Sequence, residues 1–248
     1  MKTKRKLNTK TLKRLPITAN LIASMAFIVG LTGSPSSQAA TIQGTSSSVA
    51  ILTDKEGLAA ALAHRHIIVA TNIESSLDLG AVDLAASDAL SKISSGQAKV
   101  SFKVQDLVVD TNSAAASIIP VFSNAKLWVV GTDKLEEGNA STVKENMLDS
   151  SQLDAGKFAT IEGQGRFDSC VTKADALECK LSLTLIVKGK SIAKQLPLTI
   201  KKSGQSAVAE FLGSFKFTDF GIKPYTAMFG AIAVKDQFYV AGRITASN

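Results

Sequence analysis

From Lys99 to Val104, the apolar Val100, Phe102 and Val104 alternate with Lys99, Ser101 and Lys103. The same period of two returns downstream: Leu181, Leu183, Leu185 and Val187 alternate with Lys180, Ser182, Thr184 and Lys188, with Ile186 as the exception. Ile192, Leu196, Leu198 and Ile200 stand against Gln195, Pro197, Thr199 and Lys201, and Phe211, Phe215 and Phe217 against Glu210, Ser214 and Lys216. A last run sets Phe238, Val240 and Ile244 against Tyr239 and Arg243. Alternation of this kind predicts strands with one buried and one wet face. Gly189-Lys190 and Ser203-Gly204 separate successive runs, which favours antiparallel hairpins over crossover helices. Two segments depart from the pattern. Thr142-Val143-Lys144-Glu145 fits a capping box, predicting a short helix to about Asp149 with Val143, Asn146 and Met147 on one face. Ala114–Phe122 is compact and apolar, but Pro120 limits any helix there to a turn or two. The expectation is an all-β, antiparallel barrel with one or two short helices.

The N-terminus follows a different logic. Lys2, Lys4, Arg5, Lys6, Lys10, Lys13 and Arg14 precede an apolar stretch from Ile17 to Leu31, then Gly33, Ser34, Pro35 and Ser37-Gln38-Ala39. This is the three-part layout of a secretory signal peptide over residues 1–39, with cleavage between Ala39 and Ala40. The apolar stretch is short and diluted by Thr18, Asn20 and Ser24, which speaks against a membrane anchor. No cysteine follows it, which excludes lipoprotein processing. Residues 40–48 read as a flexible leader rich in Ser, Thr and Gly, and residues 49–248 as one domain. The mature chain has no further segment apolar enough to span a bilayer as a helix. The expected location is the periplasm, or outside the cell.

That division changes the charge argument. The chain carries 28 basic and 21 acidic residues, for a net charge of +7. Seven of the bases lie in the signal segment, which leaves 21 of each sign in the mature chain. The high isoelectric point is therefore no footprint for nucleic acid.

Cys170 and Cys179 stand nine apart in an exported chain, where disulfides persist. Asp168-Ser169 and Lys173-Ala174-Asp175 mark a turn, so the pair would close a hairpin tip. Two cysteines without a nearby His do not make a zinc site. The only histidines, His64 and His66, would share one face of a strand; that spacing suits a metal pair, and equally two polar residues at the start of a strand. There is no Gly-x-Ser-x-Gly elbow. Gly163-Gln164-Gly165 lacks the context of a dinucleotide fingerprint, and Gly189-Lys190-Ser191 lacks the upstream glycine of a phosphate loop. Glu136-Glu137 sits in a polar loop. No catalytic residue, metal site or cofactor is expected.

Phe215-Lys216-Phe217-Thr218-Asp219-Phe220-Gly221-Ile222-Lys223-Pro224, followed by Gly230 and Val234-Lys235-Asp236, resembles the YceI-like family of polyisoprenoid-binding proteins. Val143 to Leu148, continuing through Leu153-Asp154-Ala155 to Lys157-Phe158-Ala159-Thr160-Ile161, is similar to the family's helix and following strand, with Ala159 in place of Pro. Leu183–Leu198 resembles the next hairpin, and Ala63-His64-Arg65-His66 a Gly-His-x-His start, with Ala63 in place of Gly. The resemblance implies a lipocalin-like barrel of about eight strands whose interior holds an isoprenoid or fatty chain. It adds no catalytic residue. The side chains assigned to such an interior are Phe102, Val104, Met147, Phe158, Leu181, Leu183, Leu185, Gly213, Phe215 and Phe229. The cysteine hairpin and an acid-rich loop around Lys134–Gly138 depart from the family pattern.

An eight-stranded barrel can be filled by its own side chains or hold one ligand. Gly163, Gly165, Gly213 and Gly242 fall on the inward register, either as bends or as places that leave room. Three other functions compete: an outer-membrane barrel with its faces reversed, a packed structural or partner-binding barrel without ligand, and a metal-dependent enzyme using His64 and His66. The outward Lys103, Lys180, Lys194 and Lys216 and the scarcity of aromatics oppose the first.

Overall fold

The computed structural model describes residues 42–247. The expected signal peptide lies outside the described residues.

The described strands are β1 (Ile42–Leu52), β2 (Lys55–Glu56), β3 (Ile67–Ala70), β4 (Glu74–Asp78), β5 (Gly96–Lys103), β6 (Leu107–Val109), β7 (Thr160–Lys173), β8 (Ala176–Val187), β9 (Lys190–Ser203), β10 (Ser206–Lys216), β11 (Thr226–Ala227), β12 (Ile232–Val234) and β13 (Gln237–Ser247). Ten of them form one sheet, and β1 pairs with β13 to close it. These ten segments follow only eight paths. β3 and β4 face β1 in a single register, because seven residues back from Val49 to Ile42 match seven forward from Ala70 to Leu77. The break between them is Thr71–Ile73, where Asn72 takes a φ of 52°. β5 and β6 are likewise one path, interrupted by the 3-10 turn Val104–Asp106. The result is an antiparallel up-and-down barrel of eight strand paths: the alternation predicts the antiparallel strands, and the family resemblance implies the barrel of about eight.

The β7 to β10 meander is built on two-residue turns. At Lys188-Gly189 both residues take positive φ (50° and 71°), the conformation that matches the twist of paired strands. Cys170 and Cys179 form a disulfide across the β7–β8 hairpin, near its Ala174-Asp175 tip.

The leader expectation is corrected for residues 42–48. They form the first part of β1, with Ser46, Ser47 and Ser48 opposite Thr245, Ile244 and Arg243. A polar run can close a barrel because unpaired backbone on β4 and β13 would otherwise be left as open edges. Ser47 Oγ and Ser75 Oγ are 2.7 Å apart and Ser48 Oγ and Ser117 Oγ 2.8 Å apart, so the hydroxyls also find partners.

Inside the barrel, inward positions of β7, β8, β9, β10 and β13 build one apolar cluster, including Phe167, Leu183, Ile200, Phe215 and Val240. One end is plugged by the segment after β4, through Leu79, Leu84, Ala89 and Ile93, and Lys202 Nζ donates to the Ala85 carbonyl there. A second cluster lies outside the wall. The outward Ala50, Leu52, Ile67, Val69 and Ala241 are covered by α1 (Asn112–Ala115), α2 (Ile119–Asn124) and Trp128. This explains the apolar Ala114–Phe122 run, whose helix starts at Ile119 with Pro120 in its first turn, where a missing N–H costs nothing. Along β7 and β8 the outward Gln164, Arg166, Lys180 and Ser182 are polar and exposed. That orientation is opposite to a lipid-facing barrel.

The capping box is also corrected. α3 (Ala140–Leu148) starts two residues before Thr142 and has no side-chain cap. The 3-10 turn Glu137–Asn139 runs straight into it, so Thr142 and Glu145 lie within the helix. Lys194 departs from its expected outward place. It pairs with the inward Leu183. The β9–β10 pairing extends only from Ser203↔Ser206 to Leu198↔Phe211, and past it Lys194 Nζ donates to the Ser214 carbonyl. The ammonium also lies 5.1 Å from the Phe215 ring centroid, so it satisfies backbone that the separated strands leave unpaired.

Candidate functional site

The end of the barrel opposite the plug opens into a cavity of about 570 Å³. Its wall is apolar: Ile51, Val100, Phe102, Ile161, Leu183, Leu185, Phe211 and Val240 come from six of the eight strand paths. A volume of this size falls in the range of ligand sites, about 300–1,000 Å³. A smaller void of about 40 Å³ continues toward the plugged end and shares Val100, Gly163, Leu183 and Phe211 with the larger one.

Three structures frame the mouth. α3 presents Val143, Asn146 and Met147 to it, the three residues that the helical spacing places on one face. A three-stranded sheet of β11, β12 and β2 contributes Lys55, Ala227 and Val234. The Phe217–Tyr225 loop supplies Phe217, Phe220, Ile222, Pro224 and Tyr225.

The residues in that loop have distinct roles. Phe220 and Ile222 are buried, and the Phe220 ring lies 6.2 Å from both Phe215 and Phe238. Gly221 ends the 3-10 turn at φ 69°, a conformation that favours glycine. Asp236 fastens the loop to the barrel: its Oδ1 accepts the Thr218 N–H at 3.0 Å and its Oδ2 the Thr218 hydroxyl at 2.7 Å. Burial alone would raise the Asp236 carboxyl, but these bonds and the Lys216 charge outweigh it and hold the pKa below the ordinary aspartate value.

Polar groups gather at the mouth, where Thr53, His64, His66, Asn139, Thr142 and Gln152 reach the cavity. The chain before β3 alternates here. His64 and His66 face the cavity, while Arg65 turns outward, ion-pairs with Asp133 at 3.2 Å and lies 5.9 Å from the Trp128 ring centroid. His66 Nδ1 is 2.6 Å from Oδ2 of Asp110, a fully buried carboxylate, and His64 Nδ1 is 3.2 Å from Glu136 Oε1. Among the described residues no group of three or more His, Cys, Asp or Glu is arranged to hold a metal ion.

Of the side chains expected inside, Phe102, Met147, Leu183 and Leu185 line the cavity. Leu181 lines the smaller void. Phe215 is fully buried behind Phe220 and Phe238, and Val104 is buried in the turn between β5 and β6. Phe158 packs instead against the Lys188-Gly189 turn. Phe229 is fully exposed on the loop between β11 and β12, in the left-handed region at φ 55°. Gly213 is inward and buried but does not line the cavity. A Cβ there would lie 2.6 Å from Leu196 Cδ1, so Leu196 already fills its place. Gly242 beneath the Phe211 ring and Gly165 beneath Leu181 repeat the arrangement. The inward glycines thus seat large neighbouring side chains. The sequence did not pair Asp110 with His66 or Glu136 with His64, because each carboxylate meets its histidine only through the fold.

The fold and site define an antiparallel barrel with an apolar internal cavity and a polar rim. No protein-family model and no curated protein matches the chain. Among solved structures, Burkholderia cenocepacia BcnA matches with a TM-score of 0.50 at 11% identity, over 81% of this chain and 96% of that one. A polyisoprenoid-binding domain from Saccharophagus degradans, implicated in plant cell wall breakdown, matches with a TM-score of 0.47 at 8% identity, over 84% and 97%. The Campylobacter jejuni YceI protein matches with a TM-score of 0.44 at 13% identity, over 73% and 84%. At such identities the likeness is one of fold.

Proposed function

We propose that the protein is an exported, non-enzymatic carrier that holds an apolar chain, such as a polyisoprenoid, inside its barrel. The observation that carries this is the cavity of about 570 Å³ with apolar walls and a single polar rim. Burial is worth roughly 0.8 kcal/mol per methylene, so each five-carbon isoprene unit contributes about 4 kcal/mol before the costs of ordering the chain. A hydrocarbon chain therefore needs no specific contact beyond a dry wall. The YceI-like resemblance of the Phe217–Pro224 loop supports the same ligand class. The signal-peptide layout of residues 1–39 supports export to the periplasm. The exposed polar outer face supports a carrier over an outer-membrane barrel.

Mass spectrometry of an organic extract of the purified protein tests the proposal. The expected result is one class of long-chain lipid near one mole per mole of protein. An extract free of such lipid, from protein that also fails to take up added polyprenol, would favour the barrel without ligand.

A further inference from the structure

We propose that the mouth is a subsite for the head of the bound chain, and that it selects an uncharged, hydroxyl-bearing head through His66. This rests on the proposed function and names the ligand class of that same cavity.

Asp110 is fully buried, a costly place for a carboxylate unless it is fully bonded. Its Oδ1 accepts the Ile67 N–H at 2.9 Å and its Oδ2 faces His66 Nδ1 at 2.6 Å. A carboxylate in that position makes Nδ1 the protonated nitrogen, so the opposite nitrogen, Nε2, is left for whatever occupies the cavity. The backbone that carries the ring is tied at both its N–H and its carbonyl. The His66 N–H donates to Thr53 Oγ1 at 3.1 Å, and the Thr53 N–H donates to the His66 carbonyl at 3.0 Å. The result is a pre-oriented hydrogen-bonding group at the polar end of an otherwise apolar chamber.

The charges around it choose the head. A phosphate or diphosphate calls for a cluster of Arg or Lys donors. Among the described residues that line the cavity the one lysine is Lys55, whose Nζ already donates to the Ala63 carbonyl, and the two lining histidines are each paired with a carboxylate, His66 with Asp110 and His64 with Glu136. The remaining polar rim, Asn139, Thr142, Asn146 and Gln152, is neutral. With the Nδ1 proton directed at Asp110, Nε2 is an acceptor; a hydroxyl can donate to it, and it adds no charge.

The test titrates delipidated full-length mature protein with geranylgeraniol, its methyl ether and its monophosphate, by displacement of a fluorescent fatty-chain probe. The ether keeps the chain and the oxygen but cannot donate. The alcohol is expected to bind about five- to tenfold tighter than the ether, the worth of one hydrogen bond, and tighter than the monophosphate. In the double variant His66→Phe/Asp110→Asn, which leaves no unpaired buried carboxylate, the alcohol-to-ether ratio should fall to about one. Equal binding of alcohol and ether by the wild type would overturn the proposal, even if the variant does not fold. Tighter binding of the monophosphate, or stoichiometric zinc binding that the variant abolishes, would also overturn it. Failure of all three chains to bind is a different outcome and refutes the cavity reading itself.

Discussion

Gly213 and Leu185 both face the barrel interior, yet enlarging them should have opposite consequences. A Cβ added at Gly213 would lie 2.6 and 2.8 Å from Leu196 Cδ1 and Cδ2 and 3.3 Å from its Cγ, so even a methyl group must displace a packed side chain. Overpacking of this kind costs about 1–3 kcal/mol. For a domain of this size each kcal/mol shifts the thermal midpoint by about 2–4 °C, so Gly213→Ala should lower it by about 2–12 °C. Its lipid content should stay near that of the wild type, because Gly213 does not line the cavity. Leu185 does line it, and beyond it lies open space of about 570 Å³. Leu185→Trp should therefore keep a midpoint close to wild type in delipidated protein while lipid retention falls several-fold. The assay is thermal unfolding of delipidated protein together with lipid retained per mole after purification. An unchanged midpoint in Gly213→Ala would refute the packing argument for the inward glycines. Full lipid retention in Leu185→Trp would refute the assignment of the cavity as the binding site.

Three further outcomes follow from separate parts of the structure. Replacing both Cys170 and Cys179 with Ala releases a cross-link between residues nine apart, which the chain-entropy relation values at about 2–3 kcal/mol. The midpoint should drop by about 4–12 °C, a drop that reductant reproduces in the wild type, and no change on reduction would contradict the closed bridge. Phe122→Ala, in the fully buried outer cluster, should cost about 3–5 kcal/mol by denaturant unfolding with lipid content unchanged; a cost below about 1 kcal/mol would mean that the outer layer is not a packed core. Asp236 has a depressed carboxyl pKa in the folded state, so its contribution is present above the unfolded aspartate pKa and is lost as pH falls through the folded value. Wild type should lose its advantage over Asp236→Asn only below about pH 4, and a stability gap independent of pH from 2 to 7 would remove this account of the Phe217–Pro224 loop.

The sequence made the wall of the barrel legible and left its ends obscure. Leu181, Leu183 and Leu185 declare their face because a half-buried strand must alternate, and the two-residue turn between β8 and β9 declares the hairpin. Neither signal needs knowledge of distant residues. β1 carried no such signal: its partner β13 is the last described strand, and its Ser-rich run is made structural only by closing the barrel. Lys194 broke the polar-outward rule because β9 and β10 separate beside it, and that separation has no sequence signature. The histidines of the cavity mouth depend on pairings such as His66 with Asp110, 44 residues apart, that only the fold creates. Phe229 looked like an interior residue by type alone, and hydrophobicity without periodicity does not assign a face.

Native mass spectrometry of the protein recovered from the periplasm bears most directly on the claim that the barrel holds an apolar chain. The account predicts a chain beginning at Ala40 with one long-chain adduct, removed by organic solvent and reduced several-fold in Leu185→Trp. A bare polypeptide mass in the wild type, still bare after incubation with a polyprenol, would contradict it.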